Sequence, residues 1–156
     1  MTTTPGTITS TTERFLGSEL AGDIEFLTAR TRALGSARAN KLLEPLGLKV
    51  RSYSVLSMAC SGFAPTQREL AEFLSLDPSQ IVPLVDGLEV RGLVERRTDP
   101  RDRRSKVVTG TAAGQQLYAK ARVATAQGES MTMAKLNKAE QETLRDLLSR
   151  IAFICP

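Results

Sequence analysis

A chain of 156 residues suits one domain with a genuine core, and 41% hydrophobic content with 4% aromatics and no Trp makes that core aliphatic. Its net charge of +4 permits a polyanionic partner, whereas the absence of His and the presence of only Cys60 and Cys155 argue against a zinc site, a disulfide framework and most acid–base or nucleophilic chemistry. There is neither an apolar run of about 18 residues nor a basic-then-hydrophobic N-terminus, so no membrane partner, metal or cofactor is expected and the expected compartment is the cytoplasm.

The stretch 1–12, rich in Thr with Pro5 and Gly6, is read as a flexible tail, because it holds too little apolar surface to offset the entropy of ordering. From 13 to about 43, Leu16, Leu20, Ile24, Leu27 and Leu34 keep helical spacing. This predicts one long helix, loosened near Gly35 and ended by Pro45 and Gly47. A second helix over 50–60 places Tyr53, Leu56, Ser57 and Cys60 on one side and stops at Ser61-Gly62.

Thr66-Gln67-Arg68-Glu69 has the spacing of a capping box, followed by the apolar face Leu70, Ala71, Phe73 and Leu74 of a short helix. Asp77 and Pro78 then open another helix, whose Ile81, Leu84, Val85 and Leu88 form a buried stripe and which Gly92 stops. Two short helices across a tight turn are the helix-turn-helix pattern, whose second helix enters the major groove of double-stranded DNA. Residues 93–97 and 105–109 pair as strands around the loop 98–104, where positive charge concentrates, with Arg96, Arg97 and Lys106 adding to it. Thr111 caps a helix to about Met133, with Gly128 as a weak point. Asn137-x-x-Glu140 repeats the capping signature before the stripe Leu144, Leu147, Leu148 and Ile151 of a last helix.

Together, Thr66-Gln67-Arg68-Glu69-Leu70-Ala71, the run from Leu88 through Arg91-Gly92-Leu93-Val94 to Arg96, and Asp99-Pro100-Arg101-Asp102-Arg103-Arg104 followed by Thr111-x-x-Gly114 resemble the winged helix-turn-helix of the MarR family of bacterial transcriptional regulators. The resemblance covers the chain from about Glu13 onward and is strongest between Thr66 and Gly114. It implies a mainly α fold with a small β-hairpin wing. In that reading 13–156 is a single domain, with 50–111 as the DNA-binding lobe and 13–47 and 112–156 as dimerisation helices. The implied function is a homodimeric, sequence-specific regulator, a repressor that binds a pseudo-palindromic operator and answers to a small-molecule effector. Relatives accept ligands between the dimer helices and the lobe, where Tyr53, Leu56 and Cys60 are expected.

Phosphate contacts set register and base-edge contacts set sequence choice. Thr66, Gln67, Arg68 and Ser79 are the expected phosphate partners of the two helices. Gln80, on the first turn and off the buried stripe, is the expected base reader, because its amide can bridge two edges of adenine. Val82 and Pro83 occupy positions where relatives carry a hydrogen-bonding residue, so Val82 is left to touch a thymine methyl and Pro83 to bend the helix. At the wing, an Asp99–Arg103 bridge is expected to leave Arg101 projecting towards a minor groove, with Arg104 and Lys106 on flanking phosphates. Gly110, in place of a large apolar residue, predicts an early end to the second strand and a looser wing.

Other readings compete with this one. A non-specific architectural DNA-binding protein fits the apolar Val82 and Pro83. A thiol-based redox sensor would use Cys60 or Cys155. An enzyme is not expected.

Overall fold

The computed structural model describes residues 11–153. Most of the expected tail, 1–12, and Cys155 therefore lie outside the described residues. Helix α1 (Thr11–Phe15) opens inside that tail, and a 3-10 turn (Glu19–Gly22) follows it. The single long helix expected over 13–43 is thus broken. Helix α2 spans Ile24–Leu43, and Asp23 caps it by accepting the Phe26 N–H at 2.9 Å. Gly22-Asp23 favours a new helix start over continuation, and a 3-10 turn barely disturbs the spacing of Leu16, Leu20 and Ile24 that suggested one helix.

A second 3-10 turn (Glu44–Leu46) and Gly47, with φ +63°, lead into α3 (Val50–Ala59). Next come α4 (Gln67–Phe73) and α5 (Pro78–Val90), then β1 (Val94–Thr98) and β2 (Lys106–Gly110), α6 (Ala112–Thr132) and α7 (Lys138–Ala152). The capping boxes at Thr66/Glu69 and Asn137/Glu140 are both formed, and Asp77 caps α5 through the Ser79 N–H. Helix α5 runs through Pro83 to Val90, and Gly92 ends it in the left-handed region at φ +67°.

The two strands pair antiparallel with Val94 opposite Gly110 and Thr98 opposite Lys106, one residue later than expected. Gly110 therefore belongs to the ladder, and the second strand does not end early. A Cβ at this position would lie 2.4 Å from the Cys60 Sγ, so the absent side chain lets β2 approach α3. Gly114 is tighter still: a Cβ would sit 1.9 Å from the Leu93 carbonyl oxygen. The Thr111 hydroxyl accepts the Gly114 N–H and donates to the Gly92 carbonyl at 2.6 Å, which joins the end of the hairpin to the start of α6.

The core is aliphatic, with Leu43, Leu56, Leu70, Ile81, Leu88 and Val108 at its centre. It packs α3, α4 and α5 against the hairpin and the first half of α6. The second half of α6 lies along α2, the most extensive helix pairing in the molecule. The expected weak points are contact points there: Gly128 is buried, 3.4 Å from its ideal Cβ position to the Ala39 Cα, and Gly35 faces Thr132. Helix α7 has no buried residue, and Leu147, Leu148 and Ile151 on its apolar stripe are exposed. Among the described residues no helix is long and apolar enough to cross a membrane.

Candidate DNA-binding surface

One side chain bridges the two helices and the wing. The Arg96 guanidinium, on β1, donates to Asp86 Oδ1 at 2.5 Å and to Glu89 Oε2, both on α5. It also donates to the Gln67 Oε1 of α4 through Nε at 2.9 Å and Nη2 at 2.7 Å. Its backbone N–H donates to Glu89 Oε1 at 3.0 Å. Burial works against the charge of Arg96, but the bonds and charges of Asp86 and Glu89 outweigh it and hold its pKa above the usual guanidinium value. Arg96, counted at first with the positive face, is therefore internally neutralised, and Arg97 is paired with Glu95. A backbone bond from the Val108 N–H to the Pro65 carbonyl, 2.8 Å, ties β2 to the start of α4.

The expected phosphate partners fall into two groups. The Thr66 hydroxyl is committed to the cap: it accepts the Glu69 N–H at 3.2 Å and donates to Glu69 Oε2 at 2.9 Å. The same carboxylate accepts the Thr66 N–H at 2.7 Å, and these two Thr66 bonds, backbone first, hold Glu69 below the ordinary carboxylate range. Gln67, with its oxygen taken by Arg96, presents only its amide nitrogen. Arg68 is exposed with no ion-pair partner among the described residues, and Ser79 is exposed at the start of α5. Gln80 is half-buried, while Val82 and Pro83 are exposed on the same helix.

At the wing the expected Asp99–Arg103 bridge is not made. Asp99, only 3% exposed, instead holds Arg101, accepting its backbone N–H at 2.8 Å, its Nε at 3.1 Å and its Nη2 at 3.0 Å. Side-chain and then backbone bonds from Arg101 keep the Asp99 carboxyl below its ordinary range. A one-residue turn brings position 101, not 103, over the carboxylate. Asp102 organises the rest of the loop by accepting the Arg104 N–H and the Ser105 hydroxyl, each at 3.0 Å. Arg103 and Arg104 are exposed and make no ion pair among the described residues, and Lys106 donates to the Thr98 hydroxyl at 3.0 Å.

The residues expected at a ligand lie on one helix, in the core or packed against it. Tyr53 stacks on Tyr118 with centroids 6.1 Å apart, Leu56 is fully buried in the core, and Cys60 sits half-buried against Gly110, where burial pushes its thiol pKa up. A separate apolar cavity of about 460 Å³ lies between α2, α6 and α7, walled by Leu27, Thr31, Gly35, Thr125, Leu144 and Leu148, with Arg32 at its edge. None of the three expected residues lines it. Among the described residues no group of three or more His, Cys, Asp or Glu could hold a metal ion.

A profile of the MarR family matches residues 50–106, which comprise α3 to the start of β2. The putative transcriptional regulatory protein for the hcr operon of Thauera aromatica is 30% identical over 133 residues, covering 85% of this chain and 80% of that protein. The chain belongs to the MarR family. Among solved structures, a MarR-family transcriptional regulator from Rhodococcus sp. RHA1 matches with a TM-score of 0.83 at 40% identity, over 88% of this chain and 98% of that one. CouR from Rhodococcus jostii RHA1, bound to p-coumaroyl-CoA, matches with a TM-score of 0.82 at 41% identity, over 89% and 98%.

This MarR-family protein is accordingly a DNA-binding transcriptional regulator with a mainly α, winged helix-turn-helix fold. Sequence reasoning missed Arg96 as the joint of its DNA-binding unit. The signal was available in Asp86 and Glu89, which lie three residues apart on one helix face and ask for a cation between them. It also missed the cavity, for which no motif exists.

Proposed function

We propose that this regulator is a homodimeric, ligand-responsive repressor that reads a pseudo-palindromic operator, with an aromatic acid or its thioester as the effector. The observation that carries the ligand reading is the apolar cavity between α2, α6 and α7, whose volume of about 460 Å³ lies in the range of small-molecule sites. Its walls join the helices that reach the DNA-binding lobe to the exposed α7. An occupant there shifts α2 against α6 and so the spacing of two lobes. CouR, similar over most of its length, is bound to an aromatic acyl thioester, which supports the same effector class for this chain.

The dimer reading rests on Leu147, Leu148 and Ile151 of α7 and on Leu16, Leu20 and Ile24 near the N-terminus, all more than 40% exposed at 46%, 44%, 64%, 65%, 56% and 73%. A second copy covers both sets at once. Base reading is assigned to Gln80, backbone contacts to Arg68, Ser79, Arg103 and Arg104, and a thymine contact to Val82. Fluorescence anisotropy on the chain's own promoter, with and without p-coumaric acid and p-coumaroyl-CoA, tests the reading. Release of DNA by either compound is expected. Binding to promoter and random duplexes with equal affinity, unchanged by both compounds, would establish an architectural protein instead.

A further inference from the structure

Helix α5 is bordered by positive charge on both flanks. On one flank Asp86 and Glu89 hold Arg96, which joins α5 to α4 and the wing, the elements that carry the unpaired Arg68, Arg103 and Arg104. The other flank carries Leu84, about 140–160° away from Asp86 and Glu89 at roughly 100° per residue. Leu84 is the α5 wall of a cleft of about 620 Å³, whose remaining walls come from α2 and the start of α3. Arg32, Lys49 and Arg51 line this cleft and no carboxylate does. All three are exposed and, among the described residues, without an ion-pair partner.

Local bonding fixes the backbone here and leaves the charges unspent. The Ser52 hydroxyl accepts the Lys49 N–H at 2.9 Å and donates to the Lys49 carbonyl at 3.0 Å, which sets the first turn of α3 without using the ammonium. Asn40 Oδ1 accepts the Val50 N–H at 2.8 Å, so its amide nitrogen remains as a donor. The ten-residue α3 begins in this wall and adds the positive end of its dipole. Gln80 lies one turn before Leu84 and only about 40° around α5 from it, so the cleft continues the edge of the helix that enters the groove.

We infer that this cleft is a third DNA-contacting surface, separate from α5 and the wing, and that Arg32, Lys49 and Arg51 hold backbone phosphates there. A helix about 10–12 Å across fills a major groove about 12 Å wide, so a sugar–phosphate strand runs along each of its flanks. The strand on the Asp86 and Glu89 flank meets α4 and the wing. The strand on the Leu84 flank meets the cleft, and the two belong to opposite strands of the duplex. Contacts of this kind add affinity and fix the register of α5 without choosing sequence. The inference rests on α5 lying in the major groove, as the operator reading above has it, and not on Gln80 as the base reader.

Anisotropy titrations of the full chain on its own promoter and on a random duplex, over a salt series, test this. Lys49→Ala/Arg51→Ala should lower the slope of log affinity against log salt by about two units per bound protomer, on both duplexes alike and with an unchanged melting temperature. Lys49→Arg/Arg51→Lys, which keeps both charges, should keep the parent slope. Lys138→Ala, which removes a charge from the start of α7, should keep it too. A second measurement needs no variant to fold: promoter duplexes in which single phosphates are replaced by neutral methylphosphonates. The parent should lose affinity at phosphates on both edges of the groove, and the double variant should be indifferent to those on the edge away from the wing. An unchanged salt slope in the double variant, or a parent sensitive only along the strand that Arg103 contacts, would overturn the proposal while leaving the operator reading in place. Equal affinity of the parent for promoter and random duplexes, with the effect of Lys49 and Arg51 intact, would refute the operator reading and keep the cleft contact.

Discussion

Asp99 holds Arg101 through both of its carboxylate oxygens, at 3.1 Å to Nε and 3.0 Å to Nη2, beneath the tip of the wing. An arginine whose charge is already balanced releases fewer counterions from DNA than an unpaired one. Arg103→Ala should therefore lower the slope of log affinity against log salt by about one unit, and Arg101→Ala by clearly less. Anisotropy titrations over a salt series would measure both. A full unit of loss at Arg101, with none at Arg103, would return the groove contact to position 101.

The same pair predicts an acid-sensitive wing. The native Asp99 carboxyl titrates below its ordinary value, so its contribution is fully present above about pH 4 and is lost as pH falls through the lowered native pKa. Asp99→Asn should remove this part of the acid dependence while leaving the neutral-pH fold in place. Amide exchange of residues 98–106 at two acidic pH values would show it.

Arg96 joins β1 to α4 and α5, and its loss leaves Asp86, Glu89 and the Gln67 oxygen without their shared donor. Arg96→Ala should cost about 1–3 kcal/mol in urea denaturation, the range for groups left unsatisfied. Gln67→Glu should behave in the opposite way: the fold should hold, since Glu pairs with Arg96, but operator affinity should drop because the outward amide donor is gone. Parallel loss of stability and affinity in Gln67→Glu would contradict this.

Gln80→Ala should relax preference at one base position by about 1–3 kcal/mol with little change in salt slope. Competition binding on a single-substitution operator library measures this. If every preference survives, base choice resides outside α5.

Gly110→Ala should be destabilising because its Cβ meets the Cys60 Sγ at 2.4 Å. Cys60→Ala in the same chain should recover much of the loss. A double-mutant cycle near zero coupling would show that backbone contacts at Ala59, not the thiol, exclude a side chain there.

Charged substitutions at Leu147 and Leu148 should yield monomers and abolish operator binding together, because one half-site lacks affinity. Sedimentation at micromolar concentration decides it. A monomeric parent would refute the dimer.

What was legible in the sequence was what neighbours in the chain decide. Thr66 with Glu69, Asp77 with Ser79, and Asn137 with Glu140 are contacts across two or three residues, so their spacing alone placed three helix starts. The break before α2 was hidden because the apolar spacing of Leu16, Leu20 and Ile24 survives a 3-10 turn. The partner of Asp99 was misplaced by two residues because loop curvature, not spacing, chooses between Arg101 and Arg103. The joint at Arg96 was signalled only through Asp86 and Glu89, and the hollows between helices were not signalled at all, for a deeper reason. They arise where elements distant in sequence meet, and a void between helices has no residue type of its own.

The contact of Gly114 with the Leu93 carbonyl leaves no slack between the hairpin and α6. A helix of 21 residues is roughly 30 Å long, so a tilt of about five degrees at this joint moves its far end by roughly 2.6 Å. Even one added methyl group at Gly114 would have to displace the Leu93 carbonyl, and with it the angle at which α6 leaves the hairpin.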